Sequence, residues 1–97
     1  MRLEVSRFVE ADLDDITAYI FQDNPRRAIT FIDDIRAKFN DIHRNPLIYR
    51  LRIEVGDDAR IATVGNYAIL FRVLGDVVRI ERVTYGGRDL AEVFDPT

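Results

Sequence analysis

The stretch RIATVGNYAILFRVLGDVVRIERVTY, residues 60–85, decides the fold. It holds three runs of strand-forming residues, broken at Gly65-Asn66 and at Gly75-Asp76. Two-residue loops with glycine at the first position are hairpin signals, because their backbone twist matches that of the flanking strands. Residues 60–64, 67–74 and 77–85 therefore read as an antiparallel meander. The middle run, YAILFRVL, is apolar on both faces apart from Arg72, as a central strand should be. The last run changes habit midway. Val78 and Ile80 share a face with Arg82 and Thr84, while Val83 and Tyr85 share the other with Arg79 and Glu81. Such a switch implies either a bulge or an arginine with work to do on a packed face. On that face Arg82 should be partly buried and so needs a carboxylate or backbone carbonyls within reach, with Glu92 or Asp89 the expected acids.

Upstream of the meander the period changes to that of a helix. Val9, Leu13, Ile16 and Ile20 recur at +4, +3 and +4, which is one helical face. Ser6 stands where an N-cap would, and Asp12, Asp14 and Asp15 are expected on the solvent side. Asn24-Pro25 ends this helix and starts another, since asparagine caps and proline suits the first helical position. Ala28, Phe31, Ile35, Phe39 and Ile42 form its stripe, Asp34 and Lys38 an i,i+4 pair, and Asn45-Pro46 its end. Before the first helix, Leu3 and Val5 alternate with Arg2 and Glu4 as in a short strand. Leu51, Ile53 and Val55 alternate in the same way before the meander. After it, Leu90 and Phe94 suit a helical turn docked on the sheet. The expected class is α+β: a two-layer sandwich with a helical hairpin packed on an antiparallel sheet, in the order β-α-α-β-β-β, closed by a short C-terminal turn or helix.

Composition sets limits on function. The 97 residues make one domain, residues 1–97, with 47% hydrophobic and 32% charged side chains. With no cysteine, disulfides, thiolate metal sites and a thiol nucleophile are excluded. The net charge is −3, and thirteen of the fourteen basic residues are arginines, Lys38 being the exception. A net-negative chain lacks the footprint of a general nucleic-acid binder. There is no secretory signal pattern and no run near the ~20 apolar residues of a membrane span, so a cytoplasmic protein is expected. The single serine, Ser6, and the single histidine, His43, leave no serine–histidine pair. The five glycines sit at turns, not in a phosphate loop. No metal or cofactor is expected. What remains is a cluster of arginines with one tyrosine: Arg72, Arg79, Arg82, Tyr85 and Arg88. Arginine stabilises anionic charge but is a poor acid or base near neutrality, so Tyr85 or Glu81 alone could carry a proton in such a set.

Several blocks resemble the RelE/ParE superfamily, the toxins of type II toxin–antitoxin modules, and are most similar to its ParE branch. They are S-x-x-x-E-A-D-L-D-D-I (Ser6–Ile16), D-N-P-x-R-A (Asp23–Ala28), Asn45-Pro46, V-G-N-Y-A-I-L-F-R-V (Val64–Val73) and I-E-R-V-T-Y-G-G-R-D (Ile80–Asp89). The resemblance implies a toxin neutralised by a cognate, ParD-like antitoxin. The ParE branch is similar to proteins that inhibit DNA gyrase by binding, and the RelE branch to ribosome-dependent messenger ribonucleases. The ribonuclease branch has a basic residue after the tyrosine opening the middle strand, where this chain has Ala68. It has a C-terminal tyrosine where this chain has Phe94, and a lysine-rich loop where this chain has Arg50 and Arg52. Within the ParE pattern, Tyr49 replaces a common glycine and Tyr85 a common histidine. The resemblance therefore points to gyrase binding without catalysis, through Arg82, Tyr85, Arg88 and Asp89. The alternative is RNA cleavage with Tyr85 as proton shuttle between Arg82 and Arg88. Phe8, Phe21 and Phe31 exceed what the helical stripe requires and are the expected antitoxin contacts. The partners expected are thus the antitoxin and gyrase, or alternatively the ribosome and messenger RNA, and no membrane.

Overall fold

The computed structural model describes residues 1–94. Its elements are Arg2–Val5 (β1), Val9–Phe21 (α1), Pro25–Arg44 (α2), a 3-10 turn Pro46–Ile48, Ala59–Val64 (β2), Tyr67–Leu74 (β3), Val77–Tyr85 (β4) and Leu90–Phe94 (α3). The order is β-α-α-β-β-β with a short closing helix, and the class is α+β. The strands lie in the order β1-β4-β3-β2. The three meander strands are antiparallel, but β1 runs parallel to β4, with Arg2 opposite Val77 and Val5 opposite Ile80. The sheet is therefore mixed rather than wholly antiparallel. The cause is topological: two helices intervene between β1 and the meander, and so long a crossover permits parallel pairing.

Both hairpin loops form where Gly65 and Gly75 stand, each with positive φ (56° and 61°), which costs a residue without Cβ nothing. Asn24 caps α2 by accepting the Arg27 amide hydrogen at 3.1 Å, and Pro25 follows at the first position. Such a cap is worth about 1 kcal/mol. Asp34 does not pair with Lys38; it takes Arg27 instead, at 3.0 Å, two helical turns back.

The main core lies between the helical hairpin and one sheet face. Val9, Leu13 and Ile16 of α1 meet Phe31, Ile35, Phe39 and Ile42 of α2 over Ile69, Phe71, Val78, Ile80 and Val83. Phe31, expected as a surface contact, is buried there, 5.4 Å from the Tyr67 ring. It belongs to the stripe at Ala28, Phe31 and Ile35, and the core uses it. A smaller cluster on the other sheet face joins Val55, Ala59, Ala68 and Leu70, with Ile61 and Leu90 packed against it. Leu90 thus docks as expected; the Phe94 side chain lies outside the described residues. The alternation at residues 51–55 makes no strand. Leu51 forms one isolated bridge to Arg60, Val55 turns inward, and Leu51 and Ile53 stay exposed. In β1, Leu3 packs on the core but Val5 is exposed.

Candidate functional site

The site grows from a break in the ladder of β4. Phe71 pairs with Ile80 and Leu70 with Arg82, so Glu81 has no partner and β4 carries a bulge. The bulge is why the apolar face switches, and it lets both Ile80 and Val83 enter the main core.

β1 also ends here, at Val5, so the outer edge of β4 beyond Ile80 has no strand beside it. Side chains and the turn into α1 take over. The Ser6 amide donates to the Ile80 carbonyl at 2.8 Å, and its hydroxyl donates to the Glu81 carbonyl at 2.5 Å. The Val83 amide donates to Asp12 Oδ2 at 3.0 Å. Ser6 is therefore not the N-cap of α1, which begins at Val9 after Phe8. Its oxygen accepts the Phe8 amide at 3.3 Å while the hydroxyl proton serves the strand.

Asp12 is also the acid that Arg82 requires. Arg82 Nε and Nη2 donate to the two carboxylate oxygens at 2.9 and 2.8 Å, a bidentate pair. The partner is neither Asp89 nor Glu92. Nor does Asp12 face solvent as expected: it is 9% exposed. It stands three residues after Val9 and four before Ile16, inside the apolar stripe, so the helix carries it against β4. Arg82 keeps 22% of its side chain exposed and lies over the Phe8 ring at 5.3 Å. The bond to Asp12 raises its pKa further above the ordinary arginine value, against the pull of burial.

The arginines expected as one cluster divide among three settings. Arg79 donates to Glu81 at 2.9 Å and pairs with Glu4, and Arg72 lies 3.6 Å from the other Glu81 oxygen. Arg82 belongs to Asp12. Arg88, exposed, donates to Thr84 Oγ1 at 3.3 Å.

Past the bulge, β4 ends at Tyr85, opposite Tyr67 at the start of β3, with ring centroids 6.1 Å apart and nearly perpendicular. Tyr85 is 53% exposed. Its ring lies over Gly87, where a Cβ would overlap it. Tyr19 of α1 completes three sides of an open cleft of about 170 Å³, floored by Ile16 and Val83, with Asp15 and Arg88 at its rim. Tyr67 sits deepest, and burial, then the phenols of Tyr19 and Tyr85, push its pKa above the ordinary 10.0. Tyr85, Arg88 and Asp89 thus gather at one end of the sheet, on or just after β4. Arg82 stands beside them but faces α1. Phe8 and Phe21 are both exposed, yet they flank α1 at opposite ends, about 20 Å apart at 1.5 Å per residue. Tyr19, Tyr67 and Asp12 were not anticipated as site residues. Only Asp12 had a sequence signal, its place within the helical stripe.

A strand-end tyrosine and arginine, braced through the neighbouring strand edge by an arginine–aspartate pair, sit within a chain whose residues 3–90 match the family model for the ParE toxin of the type II toxin–antitoxin system parDE. The chain belongs to the ParE toxin family. Two solved structures share the toxin's fold. The chromosomal ParDE system from P. aeruginosa has a chain with TM-score 0.78 and 24% identity, over 88% of the toxin and 95% of that chain. The RelBE2 toxin–antitoxin complex from Mycobacterium tuberculosis has one with TM-score 0.59 and 24% identity, over 87% and 95%. No curated protein matches the toxin in sequence. Among the described residues no helix is long and apolar enough to cross a membrane, and no group of three or more histidine, aspartate or glutamate side chains is placed to hold a metal ion.

Proposed function

We propose that this toxin acts by binding DNA gyrase in the cytoplasm, through Tyr85, Arg88 and Asp89 at the end of β4, and that a cognate antitoxin neutralises it. The observation that carries the proposal is the commitment of Arg82 to Asp12. A ribonuclease of the RelE kind needs cationic donors aimed at a phosphate and proton carriers beside them. Here Arg82 spends Nε and Nη2 on a carboxylate that also holds the strand backbone. Arg72 and Arg79 gather on Glu81. Tyr67 is pushed away from the pKa of a useful base. Ala68, where the ribonuclease branch has a basic residue, is buried in the smaller cluster. What the end of β4 offers a partner is an exposed aromatic ring and an exposed guanidinium, the residue types that anchor protein interfaces. Arg82 then acts as a brace and touches the target little. Phe8 and Phe21, exposed at the two ends of α1, are offered to the antitoxin as two separate apolar contacts.

The test is induction of the toxin followed by two parallel assays. Broken DNA and filamentation with intact messenger are expected. Rapid messenger decay with intact DNA would contradict the proposal.

A further inference from the structure

The fold leaves one surface unexplained. Residues 43–53, HRNPLIYRLRI, join α2 to the loop before β2. Within them Leu47 is 62% exposed, Ile48 75%, Leu51 48% and Ile53 74%. Single exposed aliphatic side chains are ordinary, but four in seven residues form a patch that a soluble surface rarely tolerates without a partner. The alternation of Leu51, Ile53 and Val55 does not account for it, since only Val55 is used by the interior. A cleft of about 430 Å³ opens beside the patch, bounded by Met1, His43, Pro46, Leu47 and Ile48.

The same stretch carries an opposite charge to the rest of the chain. It has three arginines, Arg44, Arg50 and Arg52, and no acid, and with the flanking Asp41 and Glu54 counted the local balance is still +1 in a chain of net −3. Arg44 pairs with Asp41 and Arg52 with Glu54, both just outside the stretch. Arg50 is exposed and has no close ion pair among the described residues, though, behind the hydrogen bond from Arg52, its charge helps to hold the Glu54 carboxyl below its ordinary pKa. The surface is therefore apolar, rimmed by guanidinium groups, and complementary to a segment with leucine-like side chains on one face and carboxylates on the other.

The register puts this surface at the far end of the sheet from Tyr85. Leu51 bridges Arg60 at the start of β2, whose neighbour Ala59 pairs with Arg72 and, through it, with Arg79 at the start of β4. Tyr85 pairs at the other end, with Tyr67. We propose that residues 43–53 are an anchoring surface for an acidic amphipathic segment of the antitoxin, remote from the target-binding end. The proposal rests on the reading of the chain as a toxin with a cognate antitoxin. It gives the antitoxin a hold that does not compete with gyrase for the same side chains.

The experiment uses the full toxin and the antitoxin encoded beside it. Binding is measured by calorimetric titration for wild type, for Ile48→Ser/Ile53→Ser and for Arg50→Glu, with thermal unfolding of each. Both variants are expected to unfold as wild type does, because the altered side chains lie in water. Each is expected to bind the antitoxin about tenfold or more weakly, as loss of a central contact does. In cells both should still arrest growth when induced alone, and both should escape neutralisation. Wild-type affinity in both variants would overturn the inference while leaving the toxin–antitoxin reading intact. A wild-type toxin that dimerises, with variants that stay monomeric, would also overturn it, because a second copy would then be the occupant. Failure of wild type to bind the antitoxin would remove the partner itself, and the inference with it.

Discussion

The two ends of the sheet solve the same problem in different ways. At the Tyr85 end a strand edge is left open where β1 stops, and the toxin closes it from within: Ser6 takes the Glu81 carbonyl and Asp12 takes the Val83 amide and Arg82 together. At the end near Leu51 a single bridge marks the edge of β2, and the chain beyond it leaves four aliphatic side chains in water. Polar groups at the first end are buried and satisfied; apolar groups at the second are exposed and unmatched. A satisfied end is internally stable and presents a fixed shape. An unmatched end lowers its free energy only when something covers it. One end is braced from within by buried polar groups, and the other carries apolar side chains that nothing among the described residues covers.

The largest expected effect breaks the brace. Asp12→Ala removes three hydrogen bonds and leaves a half-buried guanidinium beside an orphaned strand amide. Loss of one partner of such a pair costs about 3 kcal/mol, a large share of the ~5–15 kcal/mol that holds a domain of this size together. Urea unfolding should show it as a lower midpoint at unchanged slope. Arg82→Met, which removes the charge and keeps the stem, strands the Asp12 carboxylate in its turn but leaves the Val83 amide its acceptor, and should cost less by about the 1 kcal/mol of that one bond. Equal losses in the two variants would mean that the backbone bond to Asp12 contributes nothing.

At the other end, Ile48→Ser and Ile53→Ser should change stability by less than about 0.5 kcal/mol each, as surface substitutions do. A loss of 2 kcal/mol or so, of the kind a buried aliphatic residue gives, would show that the patch is packed in solution, and the contrast between the ends would collapse.

Gly87→Ala sharpens the difference between bracing and contact. A methyl group there displaces the exposed Tyr85 ring, which can swing into solvent, so little stability is lost. Growth arrest should weaken nonetheless, while antitoxin binding through residues 43–53 persists. Full toxicity in this variant would show that the ring's position does not matter to the target.

The smallest effect is a titration. Tyr67 has a folded-state pKa above the unfolded value of 10.0. Below about pH 10 it is neutral in both states and its contribution is intact. As pH rises through the folded value, the unfolded chain ionises first and that stability is lost. Tyr67→Phe should flatten the alkaline limb of the stability profile, measured by urea midpoints across that range. An unchanged limb would place Tyr67 in a more solvated setting than the cleft.

The meander was legible because its turn chemistry is local: glycine with positive φ at two-residue loops leaves few other structures. The helices were legible for the same reason, with Asn24-Pro25 supplying both stop and start. The bulge was visible as a switch of apolar face in β4, although the residue that makes it, Glu81, was not. The parallel pairing of β1 was not legible, since direction depends on where two helices deliver the chain. At the site, the need of Arg82 for an acid was readable from its place between apolar neighbours. The acid is Asp12 rather than Asp89 or Glu92, because nearness in sequence does not fix nearness in space. Asp12 is seventy residues away, yet its spacing from Val9 and Ile16 put it on the buried helix face. The lesson at Leu51 and Ile53 is the reverse. Their alternation imitates a strand, but the turn at residues 53–55 prevents ladder pairing, and a pattern that usually means burial here leaves them exposed.

The end of β4 is proposed as a binding surface held in shape by Asp12 and Arg82, and not as a catalytic centre. The most direct test is Tyr85→Phe, which removes the hydroxyl at the end of β4 and keeps the ring. Purified wild type and variant are compared for accumulation of gyrase-cleaved plasmid and for messenger cut on ribosomes. Cleaved plasmid is expected with both proteins, within a few-fold of each other, and uncut messenger with either. Messenger cleavage by wild type that Tyr85→Phe abolishes, with fold and antitoxin binding unchanged, would contradict that reading.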